Sequence, residues 1–160
     1  MIRKHKTFSR PHKAYDKPRI IEENKLVEKY GLRNKKEIWR SEAQVRYYRT
    51  RAKALINSSQ EEQKVFFSKL NAIGLQVNSI ADVLALTKEN ILKRRLSTIL
   101  VARGLATTPR QARQMITHKR VRIGARVVGS PSYIPEVEEE NLISVKAARI
   151  PVVKSEEVAA

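Results

Sequence analysis

The sequence predicts an α+β protein with an amino-terminal helical region, followed by a module that combines a helix pair with a small antiparallel sheet. Apolar residues recur at helical spacing, between start and stop signals, through most of the first 117 residues. After Lys119 the period changes to two, because Val121 and Ile123 alternate with Arg120 and Arg122. A length of 160 residues suits one medium domain or two small ones. We expect a basic extended arm at 1–19, a helical region at 20–92, the module at 93–150 and a flexible tail at 151–160.

The helical region is divided by capping and stop residues. A first helix is predicted from Ile20 to Tyr30, with Gly31 just past its end. Asn34 is expected to cap a longer helix, which reaches Ile56, with Glu37 as its reciprocal capping partner. The same pattern begins a third helix at Ser59, whose expected inward face is Val65, Phe66, Leu70 and Ile73 and whose stop is Gly74. Short helices follow at 79–86 and from Thr87 onward.

The module begins with two predicted helices. Apolar residues at helical spacing indicate one helix that Gly104 ends in a left-handed cap; these residues are Leu92, Leu96, Ile99 and Leu100. Thr108 starts the second, with Pro109 at its first position and Gln111 at its third. Its inward face is predicted to be Ala112, Met115 and Ile116, which leaves Arg110 and Arg113 exposed.

The small sheet follows these helices. The strand at 121–123 is predicted to turn at Gly124-Ala125, where the first position needs positive φ, and to return through Val127 and Val128. The segment LISV at 142–145 provides a closing strand. Between them, the acidic run from Glu136 to Glu140 is expected to stay solvated in a charged loop.

Charge is concentrated in two blocks. The chain has 33 Lys and Arg residues against 16 Asp and Glu, a formal net charge of +17. Residues 1–54 hold 17 basic and 6 acidic residues, and residues 93–126 hold 10 basic and none acidic. Unpaired like charge opposes folding unless a polyanion neutralises it, so the blocks predict nucleic-acid binding. The nearly neutral segment at 55–92 is expected to pack against protein.

Candidate RNA-binding residues come from both blocks. Arginine's planar fork suits phosphate oxygens, and an exposed aromatic ring can stack on a base or ribose. Of Tyr47 and Tyr48, one is expected to be buried and the other to stack. The second helix supplies Arg40, Arg46, Tyr47, Arg49, Arg51 and Lys53. The module supplies Arg94, Arg95, Arg103, Arg110, Arg113, Gln114, His118, Lys119, Arg120, Arg122, Arg126 and Tyr133.

The arm at 1–19 lacks a hydrophobic period and carries Pro11 and Pro18. Such a segment cannot offset its ordering entropy by burial, so we expect it to be disordered alone. Its charge and the rings of Phe8 and Tyr15 favour an arm that orders along RNA over a mobile solubilising tail.

Several ordered strings resemble a known family. RRL at 94–96, GLATTPRQARQMITH at 104–118 and PSY at 131–133 resemble the RNA-binding module of the S4 family of small-subunit ribosomal proteins. The segment IIEENKLVEKYGLRNKKEIWRSE at 20–42 is similar to the amino-terminal part of archaeal-type members. No zinc-binding cysteine cluster precedes it, unlike in many bacterial relatives. The resemblance covers most of residues 10–145.

This resemblance implies a structural constituent of the small ribosomal subunit, in the cytoplasm. Such a protein binds folded ribosomal RNA early in assembly and lies near the messenger entrance, with small-subunit RNA and neighbouring small-subunit proteins as partners. One alternative is an accessory stress or ribosome-rescue factor that uses the same module, although such a factor would not need the basic second helix. Another is the targeting arm of an RNA-modifying enzyme or tRNA synthetase, for which the chain lacks a catalytic domain.

The sequence contains little that indicates an enzyme, and we expect no cofactor, metal or small-molecule substrate. Cysteine is absent, and the five glycines are not arranged to cradle a phosphate. His5 and His12 have no partners at metal-ligand spacing. No apolar run approaches the roughly 20 residues needed to span a bilayer, so we expect no membrane partner.

Overall fold

The computed structural model describes residues 6–146, in which short helices form a bundle and a helix pair with a three-stranded sheet docks against it. The α+β class predicted from the sequence is confirmed. The helices are α1 Lys17–Tyr30, α2 Lys35–Ala54, α3 Gln60–Ala72, α4 Ile80–Ala85, α5 Lys88–Lys93, α6 Leu96–Ala102, α7 Pro109–Thr117 and α8 Val137–Glu140. A 3₁₀ turn, Leu55–Asn57, follows α2, and the strands are β1 Val121–Ile123, β2 Arg126–Val127 and β3 Ile143–Val145. The tail expected at 151–160, the end of the module and the first five residues of the arm lie outside the described residues.

Two helix boundaries differ from the prediction. Helix α1 begins at Lys17 rather than Ile20, because Pro18 lies in its first turn, where a helix does not need the missing N–H. The helix predicted to carry Leu92 to Leu100 is two helices, α5 and α6, separated at Arg94 and Arg95. Hydrogen bonds from both arginine side chains hold this break.

The helical core is built from α2 to α5. Phe66 and Leu70 of α3 are buried as predicted, and Ile73 packs partly against them. The prediction for Val65 was wrong, since its side chain is 55% exposed. Only one or two residues in each turn of a helix can face inward, and in α3 Phe66 and Leu70 occupy the face that packs into the helical core.

The module has its own core between α6, α7 and the sheet. Leu96, Leu100, Ala112 and Ile116 are fully buried and meet Val121 of β1. The sheet has the order β2-β1-β3 and is antiparallel throughout, with Arg122 opposite both Val127 and Ser144. The predicted alternation in β1, the hairpin turn at Gly124 and the closing strand are all present, and Gly124 has the expected positive φ, at 57°.

The bundle and the module meet at a close backbone approach. Gly31 ends α1 with φ of 58°, and its backbone lies against Pro109 at the start of α7. A Cβ at Gly31 would come within 2.8 Å of the Pro109 Cβ. Glycine is therefore required here both by conformation and by space.

Candidate nucleic-acid interface

Half of the ten cations at 93–126 are paired with carboxylates that are distant in sequence. Arg95 and Arg113 pair with Glu37 of α2, at 2.5 and 2.9 Å. Arg94 and Arg103 pair with Glu140, and Arg126 pairs with Glu139 at 3.1 Å. The acid-free block of the sequence is therefore partly neutralised by acids from outside it.

Glu37 connects the bundle to the module, which corrects its predicted role as a capping residue. The side chain of Asn34 does cap α2, accepting a hydrogen bond from the Lys36 N–H, but the Glu37 carboxylate turns towards Arg95 and Arg113. Burial raises the pKa of Glu37, but the hydrogen bonds and charges of the two arginines outweigh it, so the pKa lies below its ordinary value. A carboxylate at this position stays ionised at neutral pH.

Arg95 and Arg113 thus differ from the exposed surface expected for them. Arg95 is 4% exposed and also donates to the Ser132 hydroxyl at 2.9 Å. Arg113 is half-buried because its guanidinium points towards Glu37 of α2, to which it donates hydrogen bonds, and not towards solvent. A buried guanidinium needs such partners, since an unpaired charge away from water is costly.

The acidic run is a structural element and not only a solvated loop. Residues Val137–Glu140 form α8, and a capping box joins Glu136 with Glu139. Glu140 lies between Arg94 and Arg103, while Glu139 accepts hydrogen bonds from Arg126 and from the Tyr133 hydroxyl, at 3.1 and 2.6 Å. The pKa of Tyr133 is raised, mainly by its hydrogen bond to Glu139 and to a lesser degree by its partial burial. The expectation of full solvation was therefore wrong for Glu139 and Glu140, because they pair with Arg94 at the end of α5, Arg103 at the end of α6 and Arg126 of β2.

The other cations of the module are exposed. Four of the predicted residues, Arg110, Lys119, Arg120 and Arg122, make no ion pair with any carboxylate in residues 6–146. They follow one path along the chain, from α7 through the α7–β1 turn into β1. Lys119 has φ of 56°, in the left-handed region, and so reverses the chain at the end of α7. Gln114 and His118 are exposed on the same part of α7.

Helix α2 carries the second group of candidates. Arg40, Arg46, Arg49, Arg51 and Lys53 are all exposed. Within the described residues, Arg49 donates a hydrogen bond to the Leu86 carbonyl at 2.7 Å, and Arg46 forms an ion pair with Glu42 at 3.8 Å.

The aromatic pair on α2 divides as expected. Tyr47 is 60% exposed, whereas Tyr48 packs partly against the helical core. Phe8 of the arm lies against Trp39, with ring centroids 6.0 Å apart, and under the Arg40 guanidinium. The described part of the arm thus reaches the same helix.

A cleft of about 490 Å³ lies between α2 and the module, where Arg40 and Tyr47 face Arg95 and Ser132. One cation of each basic block, Arg40 and Arg95, therefore lines this cleft, whereas the exposed cations of α7 and β1 lie outside it. Within residues 6–146, no group of three His, Cys, Asp or Glu side chains is placed to hold a metal ion. None of the described helices has the length and apolarity to cross a membrane.

The carboxylates that pair these arginines are the functional residues missed from the sequence. Glu37, Glu139 and Glu140 all lie 13 or more residues outside the basic block at 93–126. Glu139 and Glu140 also belong to the acidic run for which the sequence predicts only solvation. One signal was available. An acid-free block that includes core-facing positions needs counter-charges from elsewhere, and the run at 136–140 is the nearest concentration of acids along the chain.

Comparison with known proteins identifies the family of the chain. A model of the S4 domain matches residues 94–141. The chain is 43% identical over 149 residues to small ribosomal subunit protein uS4 of Thermoplasma acidophilum, covering 88% of this chain and 75% of the relative. It is 39% identical over 144 residues to uS4 of Hyperthermus butylicus, covering 86% and 82%, and 41% identical over 146 residues to uS4 of Methanococcus aeolicus, covering 87% and 82%. The chain therefore belongs to the uS4 family of small ribosomal subunit proteins.

Proposed function

We propose that this chain is a structural constituent of the small ribosomal subunit that binds folded ribosomal RNA. The observation that carries the proposal is the division of the arginines. Folding neutralises those that face the protein and leaves four exposed cations, Arg110, Lys119, Arg120 and Arg122, without a carboxylate partner in residues 6–146. Such a group of unpaired cations favours a polyanionic partner with several phosphates.

The candidate residues divide into three roles in this proposal. Direct contacts come from the exposed side chains, which are Arg110, Gln114, His118, Lys119, Arg120 and Arg122 of the module and Arg40, Arg46, Tyr47, Arg49, Arg51 and Lys53 of α2. Arg103, Arg126 and Tyr133 remain accessible to RNA but are held by α8. Arg94, Arg95 and Arg113 act mainly by positioning the module on the bundle, Arg94 through the Ile73 carbonyl and the other two through Glu37.

The partners in this proposal are small-subunit ribosomal RNA and neighbouring small-subunit proteins, in the cytoplasm. We also propose binding early in assembly and a place near the messenger entrance, as the family resemblance implies. The internal neutralisation of Arg94, Arg95 and Arg113 supports early binding, because the module can fold before RNA supplies counter-charge.

The stress or ribosome-rescue alternative is not favoured. A factor that shares only the module would match the family over about 50 residues, whereas the similarity to uS4 proteins extends over 86–88% of the chain. The targeting arm of an enzyme is not favoured for the same reason, and the relatives' names describe ribosomal proteins.

Sedimentation of the native complexes tests the proposal. The full chain, expressed in a uS4-containing archaeal host, should sediment with the small subunit and remain there in moderate salt. Sedimentation with the large subunit would support the rescue alternative, and a chain that stays at the top of the gradient would contradict a ribosomal role.

A further inference from the structure

A second, smaller cleft lies where the end of α7 meets the sheet. It has a volume of about 330 Å³, and its walls include Gln114, Met115 and His118 on one side and Arg120, Val145 and Lys146 on the other. The volume is at the lower end of the range for small-ligand sites, which suits a ligand the size of one nucleotide.

The fold fixes both walls. One face of α7 and its C-terminal cap forms the first wall, because its residues are three or four positions apart along the helix. These residues are Gln111, Gln114, Met115 and His118. The left-handed Lys119 then turns the chain, and the Arg120 N–H donates to the Met115 carbonyl at 3.0 Å. The Lys146 N–H donates to the Arg120 carbonyl at 2.8 Å, which brings the end of β3 to the same point.

The lining combines an apolar floor with a polar rim. Met115 and Val145 are half-buried and pack on the module core. The exposed side chains of Gln114 and His118 make no hydrogen bond to any group in residues 6–146. The side-chain oxygen of Gln111, Oε1, accepts a hydrogen bond from the Thr107 N–H at 2.9 Å, which leaves the side-chain nitrogen, Nε2, without a hydrogen-bond partner in residues 6–146.

We propose that this cleft holds one unpaired nucleobase of the bound RNA. A base presents an apolar face to a floor such as Met115 and Val145, and a donor and acceptor edge to carboxamide and imidazole groups. A carboxamide can form two hydrogen bonds with an adenine edge, so adenine is the best match for Gln114. Arg120 and Lys146 are placed to neutralise the phosphate of the same nucleotide.

This inference rests on the proposed RNA binding and adds a base-reading site to it. A site for phosphate alone would need cations but no apolar floor. The other exposed cations, such as Arg110 and Arg122, lie outside the cleft. Base reading is therefore expected at one position, surrounded by backbone contacts.

Chemical probing of the complex tests the inference. The probe is the transcribed small-subunit ribosomal RNA, bound by the full chain. Reagents that modify the Watson–Crick edges of unpaired bases, together with reagents that modify adenine N7, report on the cleft, and hydroxyl radicals report on the RNA backbone. The variants are Gln114→Ala/His118→Ala, both at exposed positions, and Gln60→Ala on α3 as a matched control outside the interface.

We expect the wild type and Gln60→Ala to protect one unpaired base, and the double variant to lose this protection while keeping backbone protection. Affinity for the RNA should fall by at least about fivefold in the double variant, in line with the loss of one base contact. Circular dichroism should show that the variant is folded.

Three results would overturn the inference. If backbone is protected but no unpaired base is, or if base protection survives in the double variant, the cleft does not hold a base and RNA binding stands. If the double variant changes only backbone protection, the cleft binds phosphate. If neither base nor backbone is protected by the wild type, the proposed function fails as well.

Discussion

Arg110 and Arg113 lie one turn apart on α7, and the structure gives them different surroundings. Arg110 is exposed, whereas Arg113 bonds to Glu37 through both of its terminal nitrogens. Sequence spacing placed both arginines away from the apolar face of α7 correctly. It could not show that α2 lies beside one of them, because that contact joins residues 76 positions apart.

Arg110→Ala and Arg113→Ala should therefore affect different properties, the first RNA binding and the second folding stability. Arg110→Ala should weaken RNA binding and leave the thermal midpoint nearly unchanged. Arg113→Ala should lower the free energy of unfolding by about 1–3 kcal/mol, because it removes charge-assisted hydrogen bonds to a partly buried carboxylate. Thermal melts and binding titrations of the two variants measure both effects. If Arg110→Ala unfolds the protein, the outward face of α7 has been assigned to the wrong residue.

Glu37 is expected to have a larger effect than any single arginine. Glu37→Gln removes the counter-charge of two arginines, one of them buried, and should destabilise the protein by about 3 kcal/mol at pH 7. Because the folded-state pKa of Glu37 is below its ordinary value of 4.5, its contribution is present above that pH and is lost as the pH falls through the folded-state pKa.

The stability gap between wild type and Glu37→Gln should therefore be largest near neutral pH and narrow below about pH 4.5. Urea denaturation at several pH values measures it. Glu42→Gln is the control on the same helix, since its carboxylate is exposed and lies 3.8 Å from Arg46. It should cost less than about 1 kcal/mol at any pH. Equal effects of the two substitutions would show that Glu37 does not join the bundle to the module.

At the scale of helices and strands, local signals predicted most of the fold. Ser59, Ser79 and Thr108 begin helices because their side chains accept backbone hydrogen bonds within the next turn. The break between α5 and α6 was missed for a different reason. It depends on the Arg94 hydrogen bond to the Ile73 carbonyl and on the Arg95 pair with Glu37, both of which join segments far apart in sequence.

The approach of α1 to α7 can be tested with two glycines of similar conformation. Gly31 and Gly104 have φ of 58° and 70°, so alanine at either position should cost about 1–2 kcal/mol from the left-handed backbone alone. A Cβ at Gly104 meets nothing within 4 Å, whereas one at Gly31 would lie 2.8 Å from Pro109. Gly31→Ala should therefore be clearly more destabilising than Gly104→Ala in chemical denaturation. Equal losses would mean that α1 and α7 are not in contact in solution.

For the whole molecule, composition predicted the partner better than it predicted the interface. A net charge of +17 indicated a polyanion, and membership of the uS4 family agrees with it. Composition could not separate cations that face RNA from those that fold the protein. That division depends on Glu37, Glu139 and Glu140, which reach the basic block only in the folded chain.

Salt dependence distinguishes the two kinds of cation. The triple variant Arg110→Ala/Lys119→Ala/Arg122→Ala should lower the steepness of the log–log salt dependence of RNA binding by about 2 to 3, at roughly 0.7–0.9 for each phosphate contact. The triple variant Lys25→Ala/Lys64→Ala/Lys69→Ala removes the same charge from exposed positions of α1 and α3, which carry none of the candidate RNA-binding residues. It should leave the slope nearly unchanged. Equal changes would mean that net charge, and not this surface, determines binding.

Competition binding tests most directly the central claim that this surface recognises folded RNA. Three competitors are compared at moderate salt: the folded ribosomal fragment, the same fragment with compensatory base-pair swaps, and an unstructured RNA of equal length. The module presents mainly guanidinium and ammonium groups, so it should read phosphate geometry, and the swaps leave any unpaired base in place. We predict that the swapped fragment competes almost as well as the original and that the unstructured RNA competes poorly. Equal competition by all three would contradict the claim and leave only non-specific binding to a polyanion.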